Sequence, residues 1–281
     1  MAGIAWVNGR LSAPEQAAIS PLDPGFMYGE GLFETMRVYG GRVFRLDQHL
    51  SRMQDAAAEV GLQEQAGRLR SQDVTEALSA SGLADASVRA TVTPGTLVVL
   101  VRPLSLPPRG QYERGCRVVS LPAAQAPGTV LRRVKSLNYL DKLLAQREAK
   151  RQGADEAVLV EADGFVVEGA MRNVFAVVGA KLVTPPLSRG LLPGITRATV
   201  LEIAAKLGVP HSEHDTTLSE LQQADECFLT SSLAEILPVA SVDGQCIGAA
   251  APGPVTRRLA QGYRELVGEE LGLPAAPKRS G

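Results

Sequence analysis

After Asp47 the chain places Leu50, Met53, Ala57 and Val60 on one helical face, and Gly61 follows. Asp47 can cap and Gly61 can terminate, so the spacing predicts an amphipathic helix between them. Two hairpins are legible ahead of it. Ala5-Trp6-Val7 and Arg10-Leu11 flank Asn8-Gly9, a pair suited to the positive φ angles of a tight turn. Leu32 to Tyr39 and Arg42 to Leu46 flank Gly40-Gly41 in the same way. Val74 to Ala80 predicts a short helix, and Val88 to Thr93 and Leu97 to Arg102 read as strands, the last almost continuously apolar and therefore buried.

The second half has a different rhythm. Lys135 follows a predicted strand and stands just ahead of a helix from about Leu137 to Arg151, with Leu140, Leu143 and Leu144 on one face and Gly153 behind it. Ala157 to Glu161 turns through Asp163-Gly164 into Phe165 to Glu168, and Asn173 to Val178 turns through Gly179-Ala180 into Lys181 to Thr184. Such short connections predict an antiparallel meander. Pro193-Gly194 then opens a helix from about Thr196 to Leu207. Pro103, Pro107 and Pro108 interrupt the pattern between the halves, and Leu104 to Arg109 reads as an interdomain connection. The expected organisation is an α/β (α+β) chain: a small first domain over 1–103, a linker over 104–116, a larger second domain over 117–273 and a disordered tail over 274–281.

Composition narrows the function classes. The 281 residues are 45% hydrophobic and 21% charged, ordinary for a folded protein. Twenty-nine basic and thirty acidic side chains leave a net charge of −1, too little positive charge for a nucleic-acid binder that neutralises phosphates. Aromatic residues are 4%, which argues against stacking platforms for bases. Cys116, Cys227 and Cys246 form no CxxC pair, so neither a disulfide framework nor a cysteine zinc site is readable. The start, MAGIAWVNGR, lacks the pattern of a secretory signal, and no apolar run has the length of a membrane span. These features predict a reduced, cytoplasmic protein.

His211 and His214 could be two ligands on one helical turn, but they lie in VPHSEHD, which reads as a polar loop, and no metal site is expected. No GxSxG, HExxH or GxxxxGK[ST] motif occurs, and the glycines of Gly25 to Gly31 precede a strand, unlike a dinucleotide fingerprint. The informative residues are scattered. Lys135 at a helix entrance can hold an amine in a cleft, where desolvation eases loss of its proton. Glu168 ends a strand beside a glycine that permits close approach. Ile195 and Thr196 open a helix after Pro193-Gly194, and free N–H groups at a helix start receive anions. Arg52, one turn past His49, could reach inward as a phosphate fork. Ser231 and Ser232 could add donors. Taken singly, each has an ordinary explanation as a solvated charge, an exposed strand end or a helix start. Taken together, they supply an amine for an imine, an acid for a ring nitrogen and donors for a phosphate, the three anchors of pyridoxal phosphate.

The blocks SPLDPGFMYGEGLFETMRV, LDQHLSRM, VKSLNYLDKLLAQREAKRQGADEAVL, VVEGAMRNVF, LLPGITR and ADECFLTSSLAEILPV resemble, in order and spacing, the class IV (fold type IV) pyridoxal-phosphate enzymes. The resemblance runs from Val7-Asn8-Gly9 to about Gly244. It implies a small α/β domain and a larger domain with a barrel-like sheet, pyridoxal 5′-phosphate between them, and a homodimer whose subunits share active sites. It also implies that Lys135 is the Schiff-base lysine and general base, and that Glu168 partners the pyridinium nitrogen. By the same resemblance Arg52, Ile195, Thr196, Ser231 and Ser232 cradle the phosphate, Tyr139 meets the ring oxygen and Asn173 lies near the cofactor. Phe33, Thr35 and Arg89 stand at substrate-binding positions.

The N-terminal block is most similar to aminodeoxychorismate lyase, which converts aminodeoxychorismate to 4-aminobenzoate and pyruvate in folate biosynthesis. The alternative is a class IV aminotransferase, of branched-chain before D-amino-acid type. D-amino-acid enzymes usually carry a tyrosine where Phe33 stands and a loop bearing arginine and histidine after ATVTPGTLVV, and both are missing. A more remote alternative is a catalytically silent dimeric scaffold. The expected partner is a small amino substrate, with no nucleic acid, membrane or metal.

Overall fold

The computed structural model describes residues 3–126 and 128–274, so most of the tail at 274–281 lies outside the described residues. The chain divides into two compact units. One contains residues up to Leu106 together with Arg133–Asn138 and Glu270–Leu273, and the other contains Pro107–Arg132 and Tyr139–Glu269.

The first unit is a six-stranded antiparallel sheet with helices. Its strands are β1 (Ile4–Val7), β2 (Arg10–Ser12), β3 (Leu32–Tyr39), β4 (Arg42–Val43), β5 (Ala86–Val92) and β6 (Leu97–Pro103), in the order β2-β1-β6-β5-β3-β4. Its helices are α1 (Pro24–Tyr28), α2 (Leu46–Val60), α3 (Gln63–Arg68) and α4 (Ser71–Ser81). Alternation puts Leu32, Glu34, Met36 and Val38 of β3 on one buried face, while Thr35, Arg37 and Tyr39 on the other are half-buried. α2 packs on β3 through Leu50, Met53 and Ala57, as the periodicity predicts. The second strand of that hairpin is shorter than expected. Arg45 adopts a left-handed conformation (φ 53°), turning the chain into α2 one residue before Leu46, so Asp47 lies inside the first turn. Arg45 is held there by Glu270, with Nη2 to Oε1 at 2.7 Å.

The second unit contains α5 (Arg109–Arg114), β7 (Cys116–Pro122), α6 (Val130–Arg133), α7 (Leu140–Arg151), β8 (Glu156–Val160), β9 (Val166–Gly169), β10 (Asn173–Val178) and β11 (Lys181–Thr184). It continues with α8 (Ile195–Lys206), β12 (His211–Glu213), α9 (Leu218–Gln222), β13 (Glu226–Ser231), β14 (Glu235–Val242), β15 (Gln245–Cys246) and α10 (Pro254–Leu271). Only Val130–Arg132 of α6 and the part of α10 up to Glu269 belong to this unit. The sheet order is β12-β11-β10-β13-β14-β7-β8-β9 with β15 against β14, curled as a half-barrel.

The predicted hairpins β8–β9 and β10–β11 form, but they do not join into a meander. β10 pairs with β13 instead, and the β7–β8, β14–β7 and β11–β12 contacts are parallel. At the corner after β9, the Gly169 N–H bonds the Arg172 carbonyl at 2.7 Å, closing the turn before β10 begins. The core of this sheet includes Val118, Val158, Val174, Leu229, Leu237 and the buried thiols of Cys116 and Cys227. Burial pushes the Cys116 thiol up to about 12, so it behaves as an apolar filler. On the opposite face Phe175 and Phe228 stack at 5.0 Å.

Two further expectations are corrected. Lys135 does not follow a strand: α6 precedes it and α7 starts only at Leu140. The extended segment pairs with β3 instead, because the Phe33 N–H donates to the Lys135 carbonyl (2.8 Å) and the Leu137 N–H to the Gly31 carbonyl (2.9 Å). His211 belongs to an edge strand and not to a loop, since β12 lies parallel to β11 and the His214 N–H bonds the Thr184 carbonyl at 3.1 Å. No helix among the described residues is long and apolar enough to cross a membrane.

Candidate functional site

In the first unit, the residues expected around the substrate meet on the edge of β3. Two cations lie over the Phe33 ring, which is only 3% exposed: the Arg89 guanidinium is 3.6 Å from its centroid and Lys135 Nζ is 4.7 Å away. Thr35 faces Arg89 directly in the β3–β5 register. Lys135 is half-buried between the buried Val134 and Ser136, and its backbone is tied to β3, which aims the amine over the aromatic face.

Arg52 has a partner that the sequence reading does not name. Its Nε donates to Glu34 Oε1 at 2.8 Å and its Nη2 to Oε2 at 2.6 Å, a bidentate fork, while His49 Nδ1 lies 2.7 Å from Oε2. The signal was present in the β3 alternation, because Glu34 falls on the face that otherwise reads Leu32, Met36 and Val38. Burial opposes the charge on Glu34, but the Arg52 guanidinium and the His49 hydrogen bond outweigh it and hold the carboxyl down to about 2. His49 is pushed below its ordinary value, chiefly by burial and also by Arg52 and Lys135, against the pull of Glu34. It is therefore neutral and donates its Nδ1–H to the carboxylate.

A carboxyl held at about 2 against an ordinary 4.5 contributes stability that is complete above pH 4.5 and is lost as pH falls from there towards 2. Glu34→Gln is therefore expected to lower stability at pH 7 and to flatten its fall below pH 4.5. Urea unfolding between pH 7 and pH 3 checks this, and an unchanged acid slope would show that Glu34 is not the titrating group.

In the second unit Glu168 is 5% exposed, with its Oε1 2.5 Å from Lys142 Nζ and its Oε2 3.4 Å from the Leu192 N–H. Lys142 is absent from the sequence reading. It lies two residues into α7 on the turn after Tyr139, which precedes the helix as its N-terminal flanking residue, and helical spacing alone does not show that Lys142 points at β9. Asn173, 5% exposed at the start of β10, donates Nδ2–H to the Leu192 carbonyl at 3.0 Å. A Cβ on Gly194 would sit 2.0 Å from Asn173 Oδ1, so glycine is required there by space while its φ of −66° is ordinary. Asn173 thus shapes the turn that presents the N–H groups of Ile195 and Thr196 at the start of the twelve-residue α8.

The Asn173 position pairs with Thr230 of β13, whose buried hydroxyl has no partner among the described residues. Ser231 and Ser232 follow at the head of the β13–β14 turn, both half-buried. Arg172 bridges Glu156 and Ser231.

These features fit a phosphorylated pyridine cofactor. Within the second unit, a turn emptied by glycine ahead of a helix start, an orphaned buried hydroxyl and a sheltered carboxylate supply anion donors and a ring-nitrogen partner. The lysine and the carboxylate belong to different units.

Comparison with known proteins agrees. The family model of class IV amino-transferases matches residues 31–242. The D-alanine aminotransferase of Bacillus licheniformis is 34% identical over 267 residues, covering 90% of this chain and 93% of its own. A branched-chain aminotransferase of the archaeon Thermoproteus uzoniensis, solved with norvaline, superposes with a TM-score of 0.83 at 31% identity over 95% of each chain. That of Thermobaculum terrenum, solved in its PLP form, gives a TM-score of 0.81 at 27% identity, over 95% of this chain and 94% of its own. All three are aminotransferases, so the lyase expectation gives way to its alternative, and the silent-scaffold reading to an enzyme. The chain belongs to the class IV amino-transferases, a family of pyridoxal-phosphate-dependent enzymes.

Proposed function

We propose that the protein is a branched-chain-type aminotransferase, moving an amino group between an apolar amino acid and a 2-oxo acid. The observation that carries this reading is the Phe33 ring against which both Arg89 and Lys135 rest: an apolar wall beside the amine, with a cation available for a substrate carboxylate. The D-amino-acid type is disfavoured because Phe33 offers no hydroxyl and the β5–β6 connection is a tight turn, Thr93 to Thr96, without arginine or histidine. That turn is held short by Asp23, which accepts hydrogen bonds from the Thr93 and Thr96 hydroxyls at 2.7 and 2.5 Å. The likeness to the Thermoproteus uzoniensis and Thermobaculum terrenum enzymes supports the same choice.

When bound, pyridoxal phosphate supplies an aldehyde carbon and a ring that draws electrons from the substrate Cα. Lys135 would hold the cofactor through its Nζ and would move the substrate Cα proton as general base. Glu168 holds the proton on the ring nitrogen, with Lys142 keeping its carboxylate oriented. The Ile195 and Thr196 N–H groups, Ser231 and Ser232 bind the phosphate, Asn173 keeps the Gly194 turn open, and Tyr139 meets the ring oxygen, while the Arg52 fork expected at the phosphate is engaged by Glu34. Thr35 and Arg89 orient the substrate.

The protein acts as a homodimer. Leu22, Phe26 and Tyr28, on and beside α1, are 78%, 75% and 70% exposed, an apolar group suited to a second copy of the chain. Sedimentation equilibrium showing a monomer at micromolar concentration would remove the dimer from this reading.

With leucine and 2-oxoglutarate, the protein loaded with pyridoxal phosphate is expected to form glutamate. Release of pyruvate from aminodeoxychorismate without any amino transfer would overturn the assignment in favour of the lyase.

A further inference from the structure

Arg172 lies in the corner between Glu168 and Asn173, and both ends of its guanidinium are engaged. Nε donates to Glu156 Oε2 and Nη1 donates to Ser231 Oγ, each at 2.8 Å. Glu156, on β8, is 2% exposed, and burial pushes its carboxyl up while the Arg172 guanidinium pulls against that shift. The Ala234 N–H donates to the same Ser231 oxygen at 3.2 Å. A serine hydroxyl has two lone pairs and one hydrogen. With both lone pairs taken, Ser231 can only give its hydrogen away.

We propose that Glu156 and Arg172 are positioning residues that fix Ser231 as a donor to an anionic oxygen, belonging either to the cofactor phosphate or to the substrate carboxylate. The inference rests on the cofactor reading above. It is supported at the neighbouring position, where the Thr230 hydroxyl is 99% buried by its 1% exposure and lacks a partner among the described residues. Thr230 is paired with Asn173, the residue that shapes the turn ahead of α8. On its Asn173 side the end of the β10–β13 pair therefore carries a hydroxyl, that of Thr230, for which the described residues offer no partner.

The test uses Arg172→Lys, which keeps a charge beside Glu156 but cannot serve both oxygens as a planar fork. Glu156→Gln/Arg172→Gln is its charge-neutral counterpart should Arg172→Lys not fold. Two bindings are measured: pyridoxal phosphate by the apoprotein, and 4-methylpentanoate, a carboxylate without an amine, by the cofactor-loaded protein.

Ser231→Ala and Arg172→Lys are each expected to weaken the same one of these bindings about tenfold, the scale of one charge-directed hydrogen bond. Weakened cofactor uptake identifies the phosphate as the acceptor, and weakened 4-methylpentanoate binding identifies the carboxylate. Combining the two substitutions should cost no more than Ser231→Ala alone, because both remove one donor. Wild-type affinities in either single variant, or losses that multiply in the combination, would overturn the positioning role. A wild-type apoprotein that takes up no pyridoxal phosphate would instead remove the cofactor reading on which it rests.

Discussion

Replacing Lys135 with alanine is expected to abolish measurable amino transfer, a loss of at least about 10²–10⁴-fold from the general-base role alone. The side chain is half-buried and its Nζ rests over the Phe33 ring, while its backbone ties to β3 do not depend on the side chain. The fold should therefore survive. Two measurements separate chemistry from folding. Borohydride reduction of the loaded wild-type protein should attach the cofactor covalently to residue 135, detected by mass spectrometry, and Lys135→Ala should show no adduct while its melting temperature stays within a few degrees. An adduct on another lysine would move the reactive amine elsewhere and end the proposed mechanism.

The second large effect is expected at Glu168. Glu168→Gln removes the carboxylate assigned to the ring nitrogen and should lower kcat by about 10²–10³-fold, the range for losing one pre-organised electrostatic group. It also leaves the sheltered Lys142 ammonium facing a neutral amide where a carboxylate stood at 2.5 Å, so stability should fall as well. Glu168→Gln/Lys142→Met removes that unpaired charge. It should recover most of the stability and none of the activity, which assigns the kinetic loss to the carboxylate and not to misfolding. Recovery of kcat in the double variant would mean that Glu168 serves the fold alone.

The elements that sequence patterning finds are those in which one face is buried by local rules. The α2 face of Leu50, Met53 and Ala57 and the hairpins β8–β9 and β10–β11 follow from periodicity and turn residues. The start of α8 after Pro193-Gly194 does so too. The exceptions are places where distant backbone decided. Segment 135–137 pairs with β3, β12 pairs with β11, and β10 leaves its sequence neighbour β9 for β13. Each supplies hydrogen-bond partners from strands far along the chain, and no window of a few residues contains that information.

The site divides the same way. Residue type and order single out Lys135, Glu168 and the Ile195-Thr196 turn, because an amine, an acid and free N–H groups are chemical requirements that a sequence displays directly. Which groups hold them ready is a matter of three-dimensional proximity. Glu34 answers Arg52 across the β3–α2 packing, Lys142 answers Glu168 from α7, and Arg172 joins Glu156 to Ser231 from three separate strands or corners. Charge pairs of this kind form where burial makes an unpartnered ion costly, and burial is a property of the folded chain. The sequence by itself thus determined the chemistry available to this protein; the tertiary structure decided which partner each of these charged groups meets, because burial and proximity arise only on folding.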